Sequence, residues 1–124
     1  MQDPFMAALG LEGEVLGPGR ARVRGVVRGD HLNLHGTAHG GFLYTVADAA
    51  FALASNAEGV PAVALSTQME YLRPVQEGEA IEALAEEVHR GRRVALYRVE
   101  VWRAGERVAL FTGWVVRRET PAEG

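Results

Sequence analysis

The hydrophobic pattern of the first 27 residues predicts one short helix and two strands. Residues 3–9 place apolar side chains on one face, with an N-capping aspartate and a proline at the start, and Gly10 ends the pattern. Residues 14–17 and 20–27 flank a Pro-Gly turn, and the second segment begins by alternating arginine with apolar residues, as strands do. We interpret the arginine row as a solvated strand face rather than an RNA-binding surface, because no row of aromatic residues accompanies it.

A long apolar helix is predicted from Gly40 to Asn56. Apolar residues cover every face of this segment, and the polar interruptions before its end are Thr45, Asp48 and Ser55. At 1.5 Å per residue the helix is roughly 25 Å long, enough to cross a small domain. A helix without a polar face has to be wrapped by the rest of the protein.

Four long β segments follow the helix. Short breaks that contain Gly78, Gly91 and Gly105 separate them, as expected for an antiparallel meander. The segments cover residues 60–72, 79–89, 93–104 and 107–118. The order of elements predicts an α+β fold in which one antiparallel sheet curls around the long helix. The last segment is apolar on both sides, so one side covers the helix and the other favours oligomerisation.

Length and charge narrow the class of protein. The 124 residues fit a single domain, residues 1–124, with residues 119–124 expected to form a flexible tail. The formal net charge of −3 argues against a general nucleic-acid or anionic-membrane binder. No apolar run reaches the roughly 20 residues of a membrane span and the start has no signal-peptide pattern, so we expect a cytoplasmic protein.

Few side chains are available for covalent chemistry. The chain has no cysteine, and all 13 basic residues are arginine, which excludes thiolate, disulfide, Schiff-base and P-loop lysine chemistry. Ser55 and Ser66 are the only serines, and neither lies in a G-x-S-x-G motif. A catalytic site in this chain would therefore use Asp, Glu, His or bound water.

Asp48 is the first candidate for such a role. An unpaired carboxylate is costly in the most apolar helix of the chain, and its alanine neighbours allow a substrate to approach closely. These features favour a base or a nucleophile. The alternative is that Asp48 points outward or is capped by a neighbouring donor.

The start of the long helix is the second candidate. His39-Gly40-Gly41 precedes the helical run, and glycines there leave first-turn amides open to polarise a carbonyl or stabilise an oxyanion. The alternative is a flexible turn with His39 as a polar cap. Gly40 and Asp48 are separated by about 12 Å along the helix and about 80° around it. Both act on one carbonyl carbon only if two subunits share each site.

Two further segments are candidate ligand sites. The turn at residues 89–93 has three arginines around a glycine, an arrangement that can hold phosphates; an ordinary hairpin turn with solvated charges is the alternative. Within residues 69–74, Tyr71 and Arg73 can lie near the same ligand. Alternatively, Tyr71 is a core aromatic residue.

A metal site is a weaker interpretation of three histidines. His31, His35 and His39 are spaced by four residues, which places ligands on one face of a helix. Gly36 interrupts this segment and its neighbours are poor helix formers. We therefore expect no metal, and we interpret His31 and His35 as loop histidines.

Together these residues resemble a known family, the hotdog-fold acyl-CoA thioesterases of the phenylacetate-degradation type. The resemblance covers roughly residues 4–118. It rests on Asn33, His39-Gly40-Gly41, Asp48, Tyr71-Leu72-Arg73-Pro74 and Gly91-Arg92. The asparagine six residues before the histidine and the aspartate nine residues after it make the match more specific than His-Gly-Gly alone.

The resemblance implies a hotdog fold, a dimer with a continuous sheet, and a tetramer made of two dimers. It also implies that the Gly40 amide polarises the thioester carbonyl of an acyl- or aryl-acetyl-CoA. His39 and Asn33 would position the carbonyl or the attacking group, and Asp48 of the partner subunit would attack or activate water. No separate cofactor and no metal are implied. The implied substrate-binding residues are Gly41, Tyr71, Leu72, Arg73, Pro74, His89, Arg90, Gly91, Arg92 and Arg93.

Two other functions are compatible with parts of the pattern. A hotdog dehydratase uses a histidine and a carboxylate on an acyl thioester, but the combination of Asn33, His39 and Asp48 argues against it. A non-catalytic acyl-CoA sensor or binding module would keep the arginine turn without needing Asp48.

Overall fold

The computed structural model describes residues 1–118, so the predicted tail at 119–124 lies outside the described residues. Helix α1 spans Pro4–Ala8 and helix α2 spans Gly40–Ser55, with a short 3-10 helix at Gly29–His31 between them. The strands β1 to β6 span Glu12–Gly17, Arg20–Val26, Ala62–Tyr71, Ala80–Arg90, Val94–Arg103 and Glu106–Arg117. The predicted helices and strands are confirmed, with ends that agree within two residues.

Side-chain caps fix the start of both α-helices. Asp3 accepts a hydrogen bond from the Met6 amide at 2.7 Å, and Pro4 takes the first helical position, where its missing N–H costs nothing. His39 caps α2, because its Nδ1 accepts a hydrogen bond from the Gly41 amide at 2.8 Å. Both caps satisfy an amide that the helix itself leaves without a partner.

The sheet is six-stranded and antiparallel, but its order corrects the predicted meander. The strand order is β1-β2-β4-β5-β6-β3, so β3 pairs with β6 at one edge instead of lying next to β4. The connection after β3 is a crossover. In it the Leu72 and Arg73 amides bind the Val108 carbonyl, Val75 is buried, and Gln76 bridges to Thr37. These contacts carry the chain away from β3 before β4 begins beside β2.

The core lies between α2 and the inner face of the sheet. Phe51 of α2 is at its centre, with ring centroids 5.2 Å from Phe111 and 5.9 Å from Tyr97. Gly113 on β6 lets Phe51 approach, since a Cβ there would lie 2.7 Å from the Phe51 ring. One face of β5 is fully buried, as its alternation predicts: Ala95, Tyr97, Val99 and Val101.

The sheet wraps α2 as predicted, but in the single chain it leaves one stripe of the helix uncovered. Gly41 and Ala52 are exposed, and Thr45 and Asp48 are only half-buried. These four residues form one stripe along the helix, because they recur at the helical period. The curved sheet covers the opposite side of α2, so this stripe is left to solvent or to another copy of the chain.

The outer face of the sheet is charged near β1 and β2 and apolar near β3. Arg22 forms an ion pair with Glu14, and Arg24 pairs with Glu82 at 3.2 Å, which agrees with a solvated arginine row. Toward the β3 edge, Val63 and Val116 are exposed neighbours on adjacent strands. Within residues 1–118, no helix is long and apolar enough to cross a lipid bilayer.

We predict that Gly113→Ala lowers the free energy of unfolding by about 1–3 kcal/mol, because the new methyl group overpacks the contact with Phe51. Gly17→Ala is the matched control in β1, since nothing lies within 4 Å of a Cβ built there. Urea unfolding followed by circular dichroism measures both. Equal stability losses in the two variants would contradict close packing at Gly113.

Candidate active site

The loop before α2 is held by the side chain of Asn33. Its Oδ1 accepts hydrogen bonds from the His35 amide at 2.9 Å and the Thr37 amide at 3.2 Å. Its Nδ2 donates to the Thr37 hydroxyl at 3.0 Å. Gly36 completes the turn with a positive φ of 82°, a conformation that favours glycine. Asn33 therefore shapes the loop that delivers His39 to the helix start.

His31 supports the same loop from the inside. Its ring is buried and stacks on Phe42 of α2 with centroids 3.9 Å apart. Its Nδ1 accepts from the Arg28 amide at 2.9 Å, and its carbonyl accepts from the His39 amide at 2.7 Å. Burial lowers the pKa of the imidazole, Arg28 adds to the effect and Asp30 opposes it. His31 is thus a neutral structural residue at neutral pH.

Gly40 opens onto a cavity at the end of β3. The Tyr71 hydroxyl donates to the Gly40 carbonyl at 2.9 Å. Among residues 1–118 no acceptor binds the Gly40 amide, the first N–H of α2. The cavity is about 280 Å³, and its lining residues are Asn33, Ala38, Gly40, Leu43, Tyr71, Leu72, Arg73 and Pro74. The fold thus brings together Asn33, Gly40 and the whole Tyr71–Pro74 segment, which are far apart in sequence.

His39 and Gly41 lie on the other side of the first turn. They line a second cavity of about 250 Å³ together with Asp30, His31 and Thr45. The Gly41 amide is already bound to His39 Nδ1, and the Thr45 hydroxyl donates to the Gly41 carbonyl at 2.8 Å. Of the first two helical amides, only that of Gly40 is open to a ligand. The described residues contain no cluster of three or more His, Cys, Asp or Glu side chains that could hold a metal.

Asp48 lies on the uncovered stripe of α2, in neither of these cavities. Within residues 1–118, no hydrogen-bond or ion-pair partner contacts its carboxylate. Burial raises the pKa of Asp48 above its ordinary value, and the negative charge of Asp3 adds to the effect. The structure does not bring Asp48 to Gly40 within one protomer, because eight helical positions separate them by about 12 Å.

The arginine turn is far from the Gly40 cavity. Arg90 pairs with Glu58, just after α2, and with Glu87 at 2.9 Å, so the turn lies beside the C-terminal end of the helix. Tyr71 pairs with Ala109 of β6 and Val94 pairs with Val116, and these positions of β6 are about 24 Å apart. The two predicted ligand segments are therefore at opposite ends of one protomer.

The remaining residues of these segments contact both near and distant parts of the chain. The Gly91 amide donates to the Val94 carbonyl at 2.8 Å and closes the turn, and the His89 ring meets the edge of Trp114. Arg92 is exposed. Arg73 pairs with Glu106 at 3.1 Å. Sequence reasoning missed Glu58 and Glu106 as partners of Arg90 and Arg73, because these carboxylates come from distant segments.

Comparisons with known proteins match this chain to thioesterases and to a protein of phenylacetic acid degradation. Residues 35–110 match the Thioesterase superfamily. The acyl-coenzyme A thioesterase PaaI of Escherichia coli is 37% identical over 112 residues, which are 90% of this chain and 80% of that protein. A solved mutant of the phenylacetic acid degradation protein PaaI from Thermus thermophilus is 63% identical, with a TM-score of 0.90, over 94% of this chain and 100% of that chain.

A more distant solved structure contains a ligand. The protein smu.793 from Streptococcus mutans UA159, bound to acetyl CoA, is 27% identical to this chain. The match has a TM-score of 0.83 and covers 89% of this chain and 90% of that chain. The two solved structures thus share the fold of this chain over 94% and 89% of its length.

We predict that Asp48→Asn stabilises the protein at pH 7. The folded state binds the Asp48 proton more tightly than the unfolded state, so the buried charge costs stability once the pH rises above the ordinary pKa near 3.8. The gain should therefore shrink as the pH falls toward 4. Urea unfolding between pH 4 and 7 measures it, with the exposed Glu77→Gln as a control for loss of one negative charge. A gain that does not depend on pH would contradict this account.

Proposed function

Since the chain belongs to the thioesterase superfamily and has its hotdog fold, we propose that it hydrolyses an acyl- or aryl-acetyl-CoA thioester to the free acid and CoA. The observation that carries the proposal is the open Gly40 amide at the start of a 16-residue helix, in a cavity with Asn33 and Tyr71–Pro74. An amide at the positive end of a helix dipole is suited to the oxygen of a thioester carbonyl.

The chemistry needs one oxyanion site and one carboxylate. The thioester carbonyl would accept a hydrogen bond from Gly40 N–H, which becomes stronger as negative charge develops on that oxygen. Asp48 would take a proton from the attacking water, or attack the carbonyl carbon itself and be released by water. In both routes the C–S bond breaks, and the CoA thiolate leaves and takes up a proton. Thiolates leave readily, so no stronger nucleophile is required.

We assign the carboxylate to a second subunit. Asp48 and Gly40 of one chain are too far apart for one carbonyl, and Asp48 lies on the uncovered side of α2. The edge strand β3 exposes Val63 and Leu65, 61% and 62% accessible, and has one unpaired side among the described residues. Antiparallel pairing of β3 with its copy would continue the sheet and place the two α2 helices antiparallel.

The same pairing would bring the two predicted ligand segments, residues 71–74 of one subunit and residues 89–93 of the other, to the same end of the dimer. A two-fold axis through β3 places the C-terminal end of the α2 helix of the partner subunit, and with it the arginine turn, on the side of Gly40. We therefore assign residues 72–74 of one subunit and residues 89–93 of the other to one CoA molecule. Arg92 is exposed, and Arg90 would exchange Glu58 or Glu87 for a phosphate. A tetramer of two such dimers and a cytoplasmic location belong to the same proposal.

The first test distinguishes the effect of losing the Gly40 N–H from the effect of changing the shape of the turn. Gly40→Pro removes the N–H at a position where helices tolerate proline, and His39 already has a compatible φ of −61° and ψ of 137°. Gly40→Ala is the matched control, because it adds the same Cβ contact with Tyr71 and keeps the N–H. Thiol release from short-chain, long-chain and aromatic acyl-CoAs should fall about 100-fold or more for proline relative to alanine. Equal rates would exclude the Gly40 amide.

The second test asks whether two subunits share each site. Asp48→Asn should lower turnover by about 100- to 10,000-fold. Mixing Asp48→Asn subunits with Gly40→Pro subunits restores one intact site per mixed dimer, so a random mixture should regain about a quarter of the wild-type activity. Sites within single chains would give no recovery. Wild-type protein that binds intact acyl-CoA without releasing thiol would instead indicate a binding module.

A further inference from the structure

The first turn of α2 combines two features that conflict. Gly40 and Gly41 are consecutive, and glycine has more backbone freedom than any other residue. An oxyanion site works because its donor is already oriented before the reaction. We propose that Tyr71 is a positioning residue, whose hydroxyl holds this turn so that the Gly40 amide keeps one direction. The proposal rests on the proposed function, since it assumes that this amide binds the thioester oxygen.

Two hydrogen bonds hold the same peptide group at its opposite ends. The Tyr71 hydroxyl donates to the Gly40 carbonyl at 2.9 Å, and the Gly41 amide donates to His39 Nδ1 at 2.8 Å. The Gly40 carbonyl and the Gly41 amide belong to one planar unit. Fixing both ends sets the plane of this unit, and with it the backbone angles of Gly40 that aim the preceding N–H.

The ring of Tyr71 adds a packing constraint. A Cβ at Gly40 would lie 3.2 Å from Tyr71 Cζ, so the ring rests against the bare Cα of the glycine. Burial raises the pKa of the Tyr71 phenol, and Tyr44 adds to the effect, so the hydroxyl remains a protonated donor at neutral pH. The residue that the resemblance assigns to coenzyme A thus has a partner inside the protein.

A second tyrosine provides a matched control. The Tyr44 hydroxyl bonds to the Thr67 hydroxyl at 2.6 Å, so it also links α2 to β3, but it does not reach the Gly40 carbonyl. Tyr44→Phe and Tyr71→Phe each remove one phenolic hydroxyl between the same two elements. Only Tyr71→Phe removes the bond that holds the first turn.

We expect Tyr71→Phe to lower kcat about 10-fold with KM nearly unchanged, because a loosened donor weakens transition-state binding more than substrate binding. Tyr44→Phe should stay within about two-fold of wild type in both constants. In the same variants, NMR hydrogen exchange of the Gly41 amide should be faster in Tyr71→Phe and unchanged in Tyr44→Phe, because its bond to His39 depends on the held turn.

Three results would overturn the role of Tyr71. Equal kcat losses in both variants would indicate general coupling of helix and strand. A raised KM with unchanged kcat would indicate that Tyr71 binds substrate directly. Unchanged Gly41 exchange in Tyr71→Phe would show that the turn does not need the phenol. If the wild type hydrolyses no thioester, the proposed function fails. The exchange measurement still tests whether the Tyr71 hydroxyl holds the first turn of α2.

Discussion

The position of α2 against the sheet governs the rest of the structure. Phe51 lies between Phe111 and Tyr97, and Gly113 removes the side chain that would keep it away. This contact fixes the rotation of the helix, because one face must meet the sheet. Gly40 then points toward the end of β3, and Asp48 toward the uncovered side. Both candidate chemical groups therefore depend on an aromatic contact that takes no part in the chemistry.

Sequence reasoning predicted the limits of the helices and strands well. It predicted less well which elements lie next to each other. The helices and strands have local periods, and their caps and glycine turns lie within a few residues of each end, so their limits were predictable. The position of β3 was not, because it depends on Val75 and Gln76 carrying the chain across the fold. The uncovered stripe of α2 was equally hidden, since an apolar sequence does not tell which face another molecule covers.

For the candidate site, too, the residues were predictable but their spatial relations were only partly so. Gly40, Tyr71 and Arg73 were candidates from their own sequence context, the family resemblance added Asn33, Leu72 and Pro74, and the fold places all of them around one cavity. The arginine turn was selected with them, but it lies at the other end of the protomer, where Arg90 is neutralised by Glu58. The alternation of antiparallel strands implies that the end of β3 and the turn after β4 lie at opposite ends, but the sequence alone does not pair Arg90 with Glu58. The hydrogen bond between Tyr71 and Gly40 was also out of reach, because it joins residues 31 positions apart.

Strand β3 is connected to α2 through two phenolic hydroxyl groups, and it also forms one of the two edges of the sheet. In the dimer proposed above, one strand therefore serves both association and the geometry of the oxyanion site. A substitution in β3 that changes the subunit contact would therefore also act on the strand that carries Tyr71. Engineering this edge for greater stability would alter turnover as well.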